Sequence, residues 1–321
     1  MRILVLHSGA LGDFIVALPV VAGLRELYAD AWLEVLARGG YACLADGIAD
    51  KTGSIDAAGL HHFFTPGGCA HAEPAGPPSH YISSFDLVIS WLGDDFARRI
   101  APLAAEVVSV PPAPPRGEHA SVHIFRCVPQ LRGMACGPAR IHIADAEVAN
   151  AAELLAGRGL DAEKPIVAVH PGSGGRGKCW PAGHFAQLIR GLRRAGMQAV
   201  LVAGEADAGA VGAVQGALAG EEAPVLHELP VRTLAAVLRV AGRYVGNDSG
   251  VSHLAAAAGA ACTVVFGPTD PAVWAPRGGT VRVVAADLPC RPCRQTSPAC
   301  PYALQCLSEV KPEAVLAGIC G

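Results

Sequence analysis

The earliest residue in the chain that could carry chemistry is Asp13, which ends the run Ser8–Asp13 (SGALGD) after an apolar segment. Gly9 and Gly12 allow this run to turn tightly and let a ligand approach the backbone closely. The G-x-x-G-D spacing lacks the three glycines of the dinucleotide-binding fingerprint. Aspartate is a favoured N-cap residue, so Asp13 could simply begin a helix. A carboxylate at the end of a strand, facing a cleft, could instead remove a proton from a substrate hydroxyl.

A second candidate is the glycine-rich run 170–181 (HPGSGGRGKCWP), in which four glycines fall within six residues. The free backbone N–H groups of such a loop suit a phosphate, and Lys178 adds a positive charge just before the next predicted helix. The order of residues is not that of a Walker loop, because no serine or threonine follows Lys178. A plain glycine-rich turn is the structural alternative.

The most specific run is Gly246–Ala257 (GNDSGVSHLAAA), where a predicted strand leads into a helix. The N-terminus of a helix offers unpaired N–H groups and a partial positive charge to a diphosphate, and here it carries Ser249 and Gly250. Asp248 lies just before them and could accept hydrogen bonds from sugar hydroxyls. His253 lies one helical turn further on, where it is either a ligand contact or a structural residue.

A fourth run, Phe266–Pro271 (FGPTDP), also follows an apolar segment. A glycine–proline turn after a strand can be purely architectural. Because this run follows a strand next to that of the previous motif, Thr269 is a candidate contact to phosphate, made directly or through another residue.

Four cysteines near the C-terminus, Cys290, Cys293, Cys300 and Cys306, fall within seventeen residues. A zinc site made only of thiolates needs four such ligands. The second pair lacks the tight C-x2-C spacing of common zinc ribbons, so disulfides or free thiols are favoured over a bound metal.

The elements that must position these residues follow from the hydrophobic pattern. Short β-branched runs alternate with longer Ala- and Leu-rich runs, which predicts βα units and parallel sheets. The predicted strands are Ile3–Leu6, Trp32–Ala37, Leu87–Trp91, Val107–Val110, Ile166–His170, Ala199–Ala203, Tyr244–Gly246 and Cys262–Phe266. The predicted helices are one that follows Asp13 and Ala144–Arg158, Ala182–Ala195, Ala206–Leu218, Val231–Val240, Gly250–Ala258 and Val310–Ile319. Long loops are predicted over residues 67–84 and 111–116, which are rich in proline.

This alternation predicts an α/β fold of two Rossmann-like, doubly wound domains, residues 1–160 and 161–321, facing each other across a cleft. The boundary is placed where Gly157 and Gly159 can end a helix and residues 161–165 can form a linker. Ligands of open α/β sheets bind beyond the carboxyl ends of the strands, and each glycine- or aspartate-bearing run described above follows a predicted strand.

Composition narrows the classes of function. The chain has 321 residues, of which 51% are hydrophobic and 17% charged, so a disordered chain is excluded. Its formal net charge of −3 argues against a dedicated nucleic-acid binder. Residues 1–150 have a balance of −5 and the remainder +2, which favours the second half as the host of an anionic ligand. The absence of a signal peptide or a long apolar run, together with eleven scattered cysteines, predicts a cytoplasmic protein.

Taken in order, these runs resemble glycosyltransferase family 9, the bacterial ADP-heptose:lipopolysaccharide heptosyltransferases. The resemblance is carried by G-D at 12–13, HPGSGG at 170–175, K-x-W-P at 178–181, NDSGxxHLAAA at 247–257 and FGPTDP at 266–271. It implies a GT-B fold with an N-terminal acceptor-binding domain and a C-terminal nucleotide-sugar-binding domain. In proteins of this fold the last helix commonly returns to the N-terminal domain. It also implies an inverting, metal-independent transfer of heptose from ADP-heptose to a lipopolysaccharide inner-core acceptor.

The resemblance implies a role for each matching position. Asp13 is expected to be the general base, with Gly9 and Gly12 in the acceptor-side loop, and Lys178 is expected to stabilise the departing ADP. Asp207 is expected to contact the nucleotide ribose, with Glu205 as the second choice. The residues expected to bind the rest of the donor are Ser173, Gly174, Asp248, Ser249, Gly250, His253 and Thr269.

The expected partners are a nucleotide-sugar donor and a lipopolysaccharide core or other glycan acceptor, with no nucleic acid and no required cofactor. A transient peripheral contact with the cytoplasmic face of the inner membrane would accompany such an acceptor. The acidic first half fits an anionic acceptor poorly unless its arginines form a local patch. The alternatives are transfer of another nucleotide sugar to a different surface glycan, a sugar-nucleotide epimerase, and a binder of the same fold without turnover.

Overall fold

The computed structural model describes residues 1–56, 59–64, 77–111, 114, 117–293 and 300–320. The chain divides into two compact units, Met1–His142 and Ile143–Gly321. Most of the loop predicted over residues 67–84, and four of the six residues of the loop predicted over 111–116, lie outside the described residues. Among the described residues, no helix is both long and apolar enough to span a bilayer.

The first unit is built on one parallel sheet. Its strands are β1 (Arg2–His7), β2 (Trp32–Ala37), β3 (Lys51–Ser54), β4 (Leu87–Ser90) and β5 (Glu106–Ser109). Its helices are α1 (Leu11–Leu27), α2 (Pro77–Ser83), α3 (Asp94–Ile100) and α4 (Ala120–Cys127), with 3-10 turns at Arg38–Ala45, Leu60–Phe64 and Pro129–Leu131. The strand order is β3-β2-β1-β4-β5, so β1 is central and its carboxyl end leads into α1. Five consecutive residues of β1 are buried, as expected of a parallel strand covered on both faces.

The second unit holds a larger parallel sheet. Its strands are β6 (Ile166–His170), β7 (Gln198–Ala203), β8 (Val225–His227), β9 (Gly242–Asn247), β10 (Ala261–Phe266) and β11 (Val281–Ala285). Its helices are α5 (Asp145–Ala156), α6 (Ala182–Arg194), α7 (Ala208–Leu218), α8 (Val231–Ala241), α9 (Gly250–Ala257), α10 (Pro271–Trp274), α11 (Gln305–Ser308) and α12 (Pro312–Cys320), with 3-10 turns at Arg176–Lys178 and Glu205–Asp207. The strand order β11-β10-β9-β6-β7-β8 reverses between β6 and β9. Open α/β sheets bind ligands at this switch point.

The boundary between the units differs from the predicted one at residues 160 and 161, because α5 belongs to the second unit. Ala151 and Leu155 of α5 are buried, and the helix packs against α8. Arg232 of α8 donates two hydrogen bonds to the Glu147 carboxylate, at 2.7 and 2.5 Å. Gly157 and Gly159 follow the end of α5, but the boundary between the two units lies before this helix. The final helix, α12, packs on α6 and β10 of the second unit.

The predicted α/β fold of two doubly wound units is present. The prediction and the structure differ in the edge strands and in the bounds of some helices. The strands that the sequence did not indicate, β3, β8 and β11, all lie at sheet edges. Helix α1 begins at Leu11, two residues before Asp13 instead of after it. Residues 77–83, expected to be loop, form α2.

Candidate functional site

The polar residues of the second unit converge where β6 and β9 end side by side. His170 is paired with Gly246 in the parallel register of these strands, so the loops that follow both strands leave the sheet together. The loops after β7 and β10 leave the same edge, since all strands of the sheet are parallel. The runs that begin at residues 170, 246 and 266 therefore meet at one place, as the sequence predicts.

Asp248 is the centre of this site. Lys178 Nζ lies 3.0 Å from Asp248 Oδ2, and Thr269 Oγ1 donates a hydrogen bond of 2.7 Å to the same oxygen. Ser173 Oγ donates to the backbone carbonyl of Asp248 at 2.8 Å. The Asp248 side chain is 8% exposed and that of Lys178 is 28% exposed, so their ion pair is only partly screened by solvent. Four of the predicted donor residues thus form one connected group.

Asn247 holds the glycine-rich loop against this group, a role that the sequence did not indicate. Its side chain is fully buried, and its Oδ1 accepts a hydrogen bond from the backbone N–H of Trp180 at 2.9 Å. Its Nδ2 donates to the carbonyls of Pro171 and Gly172 at 2.9 and 3.0 Å. Both the oxygen and the nitrogen of the side-chain amide therefore have hydrogen-bond partners, as burial of a polar group requires. The available signal was a polar residue directly after the predicted strand Tyr244–Gly246.

The N-terminus of α9 lies beside Asp248. Ser249 is the N-cap residue of α9, yet its side chain does not cap its own helix. Its Oγ lies 3.4 Å from His170 Nδ1 and 3.3 Å from Ser252 Oγ. Gly250 is the first residue of the helix, where backbone N–H groups have no intrahelical acceptor. His253 is 7% exposed within the same helix, so it can be structural whether or not a ligand binds there.

Asp207, the predicted ribose contact, lies at the edge of the same site. Its Oδ2 accepts hydrogen bonds from His170 Nε2 at 3.0 Å and from the Gly204 backbone N–H at 2.8 Å. Burial opposes ionisation, but the hydrogen bond and electrostatic attraction of His170, helped by Gly204, outweigh it and hold the pKa of Asp207 below its ordinary value. Glu205, the second choice, is exposed.

A cavity of about 390 Å³ opens next to Asp207 and is lined in part by Gly172, Ser173 and Arg176. Gly172 must be small, because a Cβ at that position would lie 1.8 Å from Asp207 Oδ1. Gly174 is exposed, and a Cβ there would meet nothing within 4 Å. The site therefore combines a lysine, a helix N-terminus and a fixed carboxylate, a set suited to a phosphorylated ligand with hydroxyl groups.

In the first unit, Asp13 lies in the first turn of α1 and not at its N-cap, which is Ala10. Its carboxylate is exposed, and Oδ2 accepts a hydrogen bond of 3.2 Å from the Ala10 backbone N–H. Gly12 is the second residue of the same helix. Gly9 is required by crowding, because a Cβ there would lie 2.7 Å from His7 Cε1 and 2.9 Å from Asp13 Cβ.

His7, which the sequence did not single out, packs against the loop that leads to Asp13. It is 2% exposed, and its Nδ1 accepts a hydrogen bond from the Gly9 backbone N–H at 3.2 Å. Its ring contacts those of Phe14 and Trp91, each with a centroid separation of 5.4 Å. Burial lowers the pKa of His7 to about 4, so the ring is neutral at pH 7.

The four C-terminal cysteines line one small cavity of about 70 Å³, and none of the four is in a disulfide. Burial raises the pKa of Cys306; Arg291 opposes this, and the other three thiols add to it. Within the part of the chain that the structure describes, no group of three or more His, Cys, Asp or Glu side chains is arranged to hold a metal ion. The cysteines lie together as their spacing suggests, without forming disulfides.

The chain is similar to known glycosyltransferases. The sequence profile of glycosyltransferase family 9 (heptosyltransferase) matches residues 95–303. Lipooligosaccharide heptosyltransferase 2 of Campylobacter jejuni is 27% identical over 159 residues, 48% of this chain and 49% of that protein. Lipopolysaccharide heptosyltransferase 2 of Salmonella typhimurium is 32% identical over 130 residues, 39% of this chain and 37% of that protein. The matched region thus spans about half or less of the length of these curated relatives.

Among solved structures, the Escherichia coli ADP-heptose lps heptosyltransferase II superposes with a TM-score of 0.74 at 18% identity. The superposition covers 99% of this chain and 97% of the other, so the two proteins share a fold. This confirms the predicted GT-B class of fold. Because the family profile matches well over half of the residues, the chain belongs to glycosyltransferase family 9, the heptosyltransferase family.

Proposed function

We propose that the chain is an inverting glycosyltransferase that moves heptose from ADP-heptose to a lipopolysaccharide inner-core acceptor. The observation that carries this proposal is the connected group of Lys178, Asp248, Thr269 and Ser173 at the switch point of the second sheet. Family membership supplies the reaction class. In this proposal the first unit binds the acceptor and the second binds the donor.

On the donor side, the N-terminus of α9 and Lys178 would bind the diphosphate. An incoming phosphate would compete with Asp248 for the Lys178 ammonium group, freeing one Asp248 oxygen for a heptose hydroxyl. Asp207 would accept hydrogen bonds from the ribose. The remaining donor contacts in this proposal are Ser173, Gly174, Ser249, Gly250, His253 and Thr269.

On the acceptor side, Asp13 would act as the general base. The acceptor oxygen forms a bond to the anomeric carbon of heptose as its proton passes to Asp13. The bond from that carbon to the diphosphate oxygen breaks on the opposite face, so ADP leaves and the configuration inverts. Asp13 suits this role because its carboxylate is exposed and, among the described residues, only one of its oxygens is engaged, by a backbone N–H in the same helix turn.

Stabilisation of the leaving group would come from Lys178 and the α9 dipole, which together place positive charge where the diphosphate gains negative charge. We propose that the reaction needs no divalent metal. Turnover that is unchanged by EDTA would agree with this proposal, and turnover that EDTA abolishes and Mg²⁺ restores would contradict it.

The first experiment is thermal unfolding of the purified protein with ADP, UDP or GDP. A nucleotide present at a hundred times its dissociation constant stabilises a protein by about 2.7 kcal/mol, which is easily seen. We expect ADP to raise the unfolding temperature most. Stabilisation by UDP alone would contradict the ADP-heptose donor and favour another transferase or an epimerase. Transfer from ADP-heptose to a panel of truncated lipopolysaccharide acceptors then separates an enzyme from a binder.

A further inference from the structure

His170 connects two groups that the proposed function assigns to different parts of the donor. It is the last residue of β6, and only 3% of its surface is exposed. Nε2 lies 3.0 Å from Asp207 Oδ2, and Nδ1 lies 3.4 Å from Ser249 Oγ. Because Nε2 faces a carboxylate, this nitrogen carries the proton and donates it to the hydrogen bond.

The two carboxylate oxygens of Asp207 differ in their hydrogen bonding. Oδ2 is occupied by His170 Nε2 and the Gly204 N–H. Oδ1 has no hydrogen-bond donor within the described part of the chain and lies where a side chain at position 172 would begin, beside the 390 Å³ cavity. The carboxylate is thus held by one oxygen and offers the other. A pair of ligand hydroxyl groups is the chemistry that an ionised, rigid acceptor of this kind fits.

The other face of His170 is equally constrained. Ser249 Oγ lies 3.3 Å from Ser252 Oγ, which in turn lies 3.0 Å from the hydroxyl of Tyr244 and donates to the Asn247 carbonyl at 2.5 Å. Tyr244 is fully buried. A continuous buried polar row therefore runs from Asp207 through His170 to the first turn of α9, and the imidazole has little freedom to rotate.

We propose that His170 is a positioning residue for the donor nucleotide. It fixes Asp207 so that Oδ1 meets the ribose hydroxyls, and it ties that carboxylate to the end of α9 at which the diphosphate binds. The inference rests on the proposed function, since it takes the ligand to be a ribonucleoside diphosphate. A histidine that serves only the packing of β6 would be equally buried but would not affect selectivity for the ribose.

Two substitutions separate the two ring nitrogens. His170→Gln places an amide N–H near the position of Nε2, so it can still donate to Asp207. His170→Asn places its amide near Nδ1 and cannot reach Asp207. His123→Gln is the matched control, because His123 Nδ1 faces a carboxylate of the first unit, Glu118 Oε2 at 3.2 Å, and glutamine does not place its amide near Nδ1.

The measurement is the calorimetric dissociation constant of each protein for ADP and for 2′,3′-dideoxy-ADP. A charged hydrogen bond to a ribose hydroxyl favours ADP by roughly 10- to 100-fold in the unaltered protein. We expect His170→Gln and His123→Gln to keep most of this preference. His170→Asn should bring it to within about threefold of unity, while pyrophosphate affinity changes by less than about threefold.

Each outcome has one meaning. A preference kept by His170→Asn would overturn the positioning role and leave the ADP-heptose proposal intact. Equal loss of preference in His170→Gln and His170→Asn would also overturn it, because donation to Asp207 would then not be the operative contact. If the unaltered protein does not bind ADP, the proposed function fails and this inference fails with it.

Discussion

Replacing Lys178 by methionine tests the ion pair at the centre of the proposed donor site. Methionine keeps the length of the side chain and removes its charge. Among the described residues, Thr269 is then the remaining hydrogen-bond donor to Asp248 Oδ2. The Asp248 side chain is only 8% exposed, so water cannot easily replace the lost ammonium group. Loss of one partner of a buried pair costs about 3–5 kcal/mol, and the partial exposure of Lys178 reduces our expectation to about 1–3 kcal/mol.

The contribution of the pair itself is isolated by a double-mutant cycle. Asp248→Asn removes the charge that Lys178→Met leaves unpaired, so the double variant should be more stable than the two single losses predict. We expect a coupling free energy of about 1–2 kcal/mol. The assay is urea unfolding of the four proteins followed by the fluorescence of tryptophan, of which Trp180 is buried in the same unit.

The control is Lys164→Met, which removes an exposed pair with Asp161 and should leave the free energy of unfolding almost unchanged. In the same set of proteins, Lys178→Met should lower the rate of heptose transfer by roughly 10²- to 10³-fold, and the second substitution should not restore it. A coupling energy below about 0.3 kcal/mol would refute the ion pair, and unchanged transfer would refute the role of Lys178 at the leaving group.

Three further outcomes are expected. Gly172→Ala pushes a methyl group against Asp207 and should weaken ADP binding at least about tenfold by calorimetry, whereas Gly212→Ala, whose Cβ meets nothing within 4 Å, should leave it unchanged. Burial lowers the pKa of His7 from its ordinary value of 6.5 to about 4, so its contribution to stability is complete above pH 6.5 and is lost as the pH falls towards 4. Between pH 7 and 5 the unaltered protein should therefore lose about 2 kcal/mol more unfolding free energy than His7→Gln in urea unfolding, and equal losses would contradict the buried neutral ring. Asn247→Ala removes three hydrogen bonds in a fully buried position and should cost about 3 kcal/mol or more of unfolding free energy, so a cost below about 1 kcal/mol would contradict its role in holding the loop.

The central strands could be predicted from the sequence because they contain continuous apolar runs, as in Ile3–Leu6 and Ile166–Val169. Three of the four edge strands, β3, β8 and β11, could not, whereas the edge strand β5 was predicted over Val107–Val110. β3 has the polar sequence KTGS and β8 has three residues, so neither shows a hydrophobic pattern long enough to indicate a strand.

The same contrast holds for the site. Motif order indicated which residues gather at the ends of the strands, but not which of them touch. Lys178 and Asp248 are 70 positions apart, and their contact depends on the register of β6 against β9. His170 and Asn247 were visible as residues of the runs, yet their roles depend on partners that only the folded sheet brings within reach.

The measurement that tests the central claim most directly is heptose transfer from ADP-heptose by the unaltered protein and by Asp13→Asn. Asparagine retains an oxygen that can accept the Ala10 N–H, so the turn and ADP affinity should be preserved. We expect transfer by the unaltered protein and a loss of roughly 10²- to 10⁴-fold in the variant. Equal transfer by both proteins, or none from ADP-heptose by the unaltered protein, would contradict the account.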